Sequence, residues 1–212
     1  MDMAPAMRDM TKQHPNMKLA TSAAIVRPER AEVENAVRTI LRWIGDDPTR
    51  PGLIDTPQRV TDAFDEHYRG YADNPGELLG RTFEEIEGYD AMVMLRGVPF
   101  QSHCEHHMSP MIGRAWVGYI PNGRVVGIGR LARVVDAYAK RLQIQERMTA
   151  QIANVIQDVL RPAGVAVVIK AEHHCMSSRG VQKHGTDMVT SRMFGAFLDN
   201  PKTRQEFMSL VD

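Results

Sequence analysis

The chain has 212 residues and is 43% hydrophobic, which suits one ordinary domain with an appendage and allows a real core. Its 26 Lys and Arg balance 26 Asp and Glu, so no global charge draws it to nucleic acid or to an anionic membrane. No apolar run approaches the ~18 residues of a membrane span, and Met1 to Lys18 lacks the apolar stretch of a secretory signal; the cytoplasm is the expected compartment, with neither nucleic acid nor membrane as a partner.

Met1 to Val26, with Pro5 and Pro15 and no sustained period, is expected to be mobile. From Pro28 a helix is predicted, because Val33, Ala36, Val37, Ile40, Leu41 and Ile44 recur at helical spacing and Gly45 follows as a stop. Asp46 to Asp55 reads as a loop. Thr56-Pro57 then reads as an N-cap followed by proline in the first turn of a second helix, and a third is expected around Pro75 to Glu87. Strands are predicted at Met92 to Val98 and Ala115 to Ile120, with Val125 to Ile128 returning after the turn Pro121-Asn122-Gly123. Two helices follow: about Leu131 to Lys140, then one carrying Ile144, Met148, Ile152, Val155, Ile156 and Val159 on one face and stopping before Pro162. Gly164 to Ala171 and Met188 to Ala196 are the last predicted strands. This order gives an α+β fold with an antiparallel sheet.

The chemistry concentrates in His103-Cys104-Glu105-His106-His107 and His173-His174-Cys175, which hold five of the eight histidines and both cysteines. Thiolates and imidazoles gathered in this way point to zinc, and two cysteines in a reducing compartment more often bind metal or stay free than pair. Cys104 and His107 are spaced so that one turn of backbone aims both at one ion, and Cys175 would supply a third ligand from a distant strand end. Three protein ligands leave the fourth tetrahedral position open, as in a catalytic site. A fourth from His106, His173 or His174 would close it as a structural one, and a cluster without metal is the third alternative. His106 and His173 flank the ligands, either as proton carriers near neutral pH or as hydrogen-bonding supports. Gln145-Glu146 opens an amphipathic helix, where a carboxylate is ordinarily a cap or dipole partner; its other reading is an acceptor for the paired N1–H and 2-amino donors of guanine. Arg130, Arg133, Arg141, Arg179 and Lys183 lie near these motifs, either as solvated surface or as a clamp on a triphosphate.

The runs Ser102-His103-Cys104-Glu105-His106-His107, Gly113-Arg114-Ala115-Trp116-Val117-Gly118-Tyr119-Ile120-Pro121, Gln143-Ile144-Gln145-Glu146-Arg147 and His173-His174-Cys175-Met176-Ser177-Ser178-Arg179-Gly180-Val181 follow one another in order. With Gly52-Leu53 and Thr56-Pro57-Gln58-Arg59-Val60, they resemble GTP cyclohydrolase I from about Arg30 to the C-terminus. The resemblance implies a tunnelling fold, an antiparallel sheet backed by two helices, with an N-terminal helical extension. The corresponding bounds are a flexible segment at 1–27, a helical region at 28–88 and a catalytic domain at 89–212. It also implies a ring-shaped homodecamer with active sites between subunits, and one Zn2+ per subunit on Cys104, His107 and Cys175. By the same resemblance His106 and His173 would transfer protons, Glu146 would anchor guanine with help from Gln145, and Arg133 and Arg179 would meet the triphosphate of GTP. The implied reaction is protonation at N7, hydrolytic opening at C8, loss of formate, and ribose rearrangement to 7,8-dihydroneopterin triphosphate, a folate precursor.

One pair departs from the family. Where a Ser-Lys pair usually helps hold phosphates, this chain has Gly129-Arg130, which keeps the charge, changes its geometry and leaves only a backbone N–H in place of the hydroxyl. Two rival outcomes stand beside the main reading: a zinc hydrolase that stops after ring opening or takes another nucleotide, and a non-catalytic nucleotide-binding protein stabilised by zinc.

Overall fold

The computed structural model describes residues 26–84 and 86–212; residues 1–25, nearly all of the segment expected to be mobile, lie outside them. Residues up to Pro57 form one compact unit and Gln58–Asp212 a second. In the first, α1 (Arg30–Trp43) buries Val37 and Leu41, one helical turn apart, and leaves Ile40 and Trp43 exposed. Gly45 ends it as expected. At φ 93° it lets its own N–H reach Arg42 O and the Asp46 N–H reach Leu41 O, the paired bonds of a Schellman cap.

Helix α2 (Thr56–His67) includes Thr56 within its first turn, one residue earlier than an N-cap reading places it. A 3-10 turn (Arg69–Tyr71) leads to α3 (Pro75–Leu78), capped by the Asn74 side chain, which accepts from the Gly76 N–H. The helix expected to reach Glu87 is this single turn; β1 (Thr82–Phe83) follows and pairs with β4 (Val125–Val126).

The main sheet is built from β2 (Val93–Cys104), β3 (Pro110–Ile120), β5 (Leu142–Gln143), β6 (Gly164–His173) and β7 (Asp187–Gly195), in the order β5-β2-β3-β6-β7. Strands β2, β3, β6 and β7 are antiparallel, whereas β5 joins β2 in parallel, so the sheet is mixed at that edge. Strand β2 runs six residues past the predicted stop at Val98. Pro99 pairs with Arg114 on the β3 side, and β5 reaches only His103 and Cys104, so the missing proline N–H falls on an open edge. A bulge between Leu95 and Val98, with Gly97 at φ 61°, bends the strand just before it.

Alternate residues of the strands, among them Phe100, Met111, Val117, Tyr119, Val167 and Ile169, bury one face of the sheet. They pack against Leu131, Val134 and Val135 of α4 (Ile128–Ala139) and Met148, Ile152 and Ile156 of α5 (Gln145–Leu160). The α+β class and the two backing helices agree with expectation. Two further helices, α7 (Ala196–Asp199) and α8 (Pro201–Ser209), were not foreseen. Their Phe197 and Phe207 cover Trp116, Ala166 and Val168 on the opposite face, which is why β6 is apolar on both sides. Among the described residues no helix is long and apolar enough to cross a membrane.

Candidate metal centre

The site forms where three strand ends meet. Strand β2 ends at Cys104, and a tight turn returns the chain to β3: Met108 N–H donates to Cys104 O at 2.8 Å, and Cys104 N–H donates to Ser109 O at 2.9 Å. Met108 takes a left-handed conformation at φ 53°. Alongside, Cys104 pairs with Gln143 of β5, the Glu105 N–H donates to Gln143 O at 3.0 Å, and the Glu105 carboxylate meets the Arg147 guanidinium at the start of α5. Strand β6 ends at His173, directly opposite Met111, and α6 (His174–Ser177) begins there, carrying Cys175 into the same corner.

The ligand atoms of Cys104, His107 and Cys175 accordingly lie within 4.8 Å of one another, and this group could hold a metal ion. Cys104 Sγ is 3.9 Å from His107 Nδ1. Burial and the neighbouring Cys104 push the Cys175 thiol up, so holding a thiolate here calls for a cation. Arg179 Nη1 lies 3.1 Å from His107 Nε2, at the edge of the group.

The other histidines divide. His106 Nδ1 is 3.7 Å from Cys104 Sγ, yet its side chain is 65% exposed, and among the described residues it does not join the group of three. His173 is half-buried, with Nε2 at 2.8 Å from Gln145 Oε1; burial pushes its imidazole down and Glu146 partly opposes this. His174 lies beside Cys175 outside the group of three. His103, on the opposite face from Cys104, packs on His67 at 4.6 Å between ring centroids and on Tyr68 at 5.3 Å.

Gln145 and Glu146 open α5 at this corner, Gln145 fully buried and Glu146 exposed. The Gln145 amide is already engaged by protein: Nε2 donates to Ile169 O, Met188 O and Thr190 Oγ1, and Oε1 faces His173. Gly129, Arg130 and Arg133 are not brought here. They lie in the first half of α4, which starts beside the other end of the sheet, where the Val126 N–H donates to the Tyr119 hydroxyl. Arg130 Nη1 donates to Leu78 O at 2.8 Å, closing the end of α3, while Arg133 is exposed. A Cβ on Gly129 would meet nothing within 4 Å, so serine would fit there in this chain. Arg141 is structural: it donates to Gly70 O, Ala137 O and Asp73 O and stacks on Tyr71 and Tyr138. Sequence reasoning assigned nothing to the Glu105–Arg147 pair or to Thr149 and Thr190. The first was visible only as one charge within each of two motifs, and the second only as two unremarkable threonines.

Residues 33–212 match the family model described as GTP cyclohydrolase I. The chain is similar to a protein of Sinorhizobium fredii named GTP cyclohydrolase 1, 55% identical over 185 residues that span 87% of this chain and 90% of the relative. A protein of the same name from Allorhizobium ampelinum is 54% identical over 185 residues, 87% of this chain and 92% of the relative. A solved structure, the archaeosine synthase QueF-Like in the apo form, is similar at 21% identity and a TM-score of 0.41, covering 49% of this chain and 93% of that one; the likeness is too slight to argue from.

Proposed function

This chain belongs to the GTP cyclohydrolase I family of enzymes, and we propose that it opens the guanine ring of GTP with the help of zinc, releases formate, and forms 7,8-dihydroneopterin triphosphate, the first step towards tetrahydrofolate. The observation that carries this reading is the meeting of Cys104, His107 and Cys175 at one corner with His106, His173 and Glu146. The residues fit the ion. Two sulfurs and one imidazole are a borderline-soft set, and ligand atoms on a tetrahedral zinc stand about 3.5–3.8 Å apart, near the spacing of Cys104 and His107. With three such ligands the fourth position stays open. When bound, zinc supplies a Lewis acid that brings the pKa of water to about 7.

The remaining steps belong to the chain. His173 delivers a proton to N7 of guanine, making C8 electrophilic, and exposed His106 beside Cys104 handles protons at the opening ring. Glu146 accepts from N1–H and the 2-amino group, and Arg179 meets the triphosphate at the metal corner. Gly129, Arg130 and Arg133 serve the triphosphate of a substrate held by a neighbouring copy. We therefore place the enzyme in a homo-oligomer, a decamer of tunnelling-fold subunits with active sites between them, working in the cytoplasm. Incubation with GTP and zinc is expected to yield formate and, after oxidation, a fluorescent pterin. Formate without pterin would mean that the reaction stops at ring opening, and neither product would overturn the proposal.

Glu146→Gln is expected to lower kcat/KM for GTP by about 2–4 kcal/mol, because an amide donor then faces guanine's donors and a charge-assisted pair is lost. The carboxylate is exposed, so the melting temperature should hardly move. A lowered melting temperature with unchanged kcat/KM would reduce Glu146 to a helix-dipole partner.

A further inference from the structure

We propose that Gln145 is a positioning residue for His173, and that it contributes to the reaction by fixing which ring nitrogen of His173 carries hydrogen rather than by touching guanine. The inference rests on the reading of His173 as a proton carrier at the ring.

The hydrogen-bond inventory of this buried pocket leaves one arrangement. Gln145 is fully buried, and its amide nitrogen stands 3.1 Å from Ile169 O and 2.9 Å from Met188 O. Backbone carbonyls only accept, so the group facing them must be the NH2 and the amide cannot be turned over. Its third contact, Thr190 Oγ1 at 3.1 Å, therefore also accepts. The threonines lock in turn. The Thr149 hydroxyl donates to Gln145 O at 2.7 Å, which uses its single hydrogen, so Thr190 must be the donor in the 2.7 Å contact between the two hydroxyls. The two amide hydrogens are then shared among three acceptors, and the hydroxyl hydrogen of each threonine has one acceptor.

What remains of Gln145 is Oε1, an acceptor, 2.8 Å from His173 Nε2. Nε2 must therefore carry hydrogen, and in the neutral ring Nδ1 keeps the lone pair. No hydrogen bond among the described residues engages Nδ1. Nε2 thus stays tethered, and the plane of the ring is held by a side chain that is itself anchored to two strands. The Gln145 amide also has no hydrogen to spare for a substrate, since both are committed to carbonyl or hydroxyl oxygens in the protein.

The test combines one measurement on the unaltered protein with two variants. Neutron diffraction from crystals of the zinc-loaded enzyme exchanged into D2O should show deuterium on Nε2 of His173, directed at Gln145; an Nε2 without deuterium overturns the proposal whatever the activity. In solution, Gln145→Leu should lower kcat for GTP by more than tenfold and change KM by less than threefold, because a mispositioned ring slows proton transfer without removing a substrate contact. Thr190→Val, which keeps Gln145 but removes one anchor of its amide, should give a smaller loss in kcat with the same unchanged KM. A tenfold rise in KM with kcat kept in either variant would show that Gln145 binds guanine and would sink the idea. If wild type fails to turn over GTP, the proposed function fails, and the deuterium position still decides this inference.

Discussion

Stripping the metal with a chelator is expected to lower formate release from GTP by on the order of 10^3-fold or more, while the far-ultraviolet circular dichroism of the chain stays as it was. Two features of the molecule lead to this result. The ligands sit at the margin of the sheet, at the last residue of β2, on the turn after it and in the single turn of α6. The core lies elsewhere, where Val117, Val134, Ile152, Val167 and Ile169 are fully buried between the sheet and its two helices. Burial on that scale, at about 25 cal/mol per Å² of apolar surface, holds a fold without a metal clip. Adding zinc back should restore turnover, and Cys175→Ala should reproduce the loss. If the stripped protein instead unfolds, the metal is structural; if it remains fully active, the metal has no part in the chemistry.

The residues that carry this prediction were legible because their signal is local. Cys104 and His107 are three apart, and the chemistry of thiol and imidazole narrows the choice before any fold is known. Only Cys175 had to be joined to them across the sheet. The place of Gln145 was not legible in the same way. It is set by Ile169, Met188 and Thr190, which lie 24, 43 and 45 positions away and meet it only because β6 and β7 pair beside the start of α5. The fold shows the same division. Periodicity located α1, α4, α5 and β6. It missed β5, since two residues carry no period, and it stopped β2 at Val98, before Pro99; whether a proline faces a neighbour or an open edge depends on the partner strand. Helices α7 and α8 hold to the sheet largely through Phe197 and Phe207, too few anchors to make a stripe.

Mixing two inactive variants should restore activity. His107→Ala removes a metal ligand, and Arg133→Ala removes a cation from α4; each alone is expected to lose about 100-fold in kcat/KM, the first through the chemistry and the second through triphosphate binding. The reason the mixture recovers lies in how one chain lays out these residues. Strand β3 pairs Met111 with His173 at the metal corner and runs to Tyr119, eight residues further and about 27 Å away at about 3.4 Å per residue. The Tyr119 end is where Val126 is held and α4 begins. Helix α4 then returns along the sheet, and only its far end meets the metal corner, where the Ser102 hydroxyl donates to Arg141 O. Arg130 therefore stands roughly 13 Å back along the helix axis from its end at Ala139, at about 1.5 Å per residue. Arg133 points outward, since its neighbours Val134 and Val135 fill the side facing the sheet. Glu146, by contrast, opens α5 at the corner itself. A substrate anchored on Glu146 and reacting beside Cys104 and His107 would draw Gly129, Arg130 and Arg133 from a neighbouring copy in a symmetric ring. After dissociation and joint reassembly in equal amounts, about one quarter of the sites would join an intact metal corner to an intact α4, and activity should approach about one quarter of wild type. Were each site built within one chain, every site in the mixture would carry one of the two defects and the activity would stay at the level of the variants.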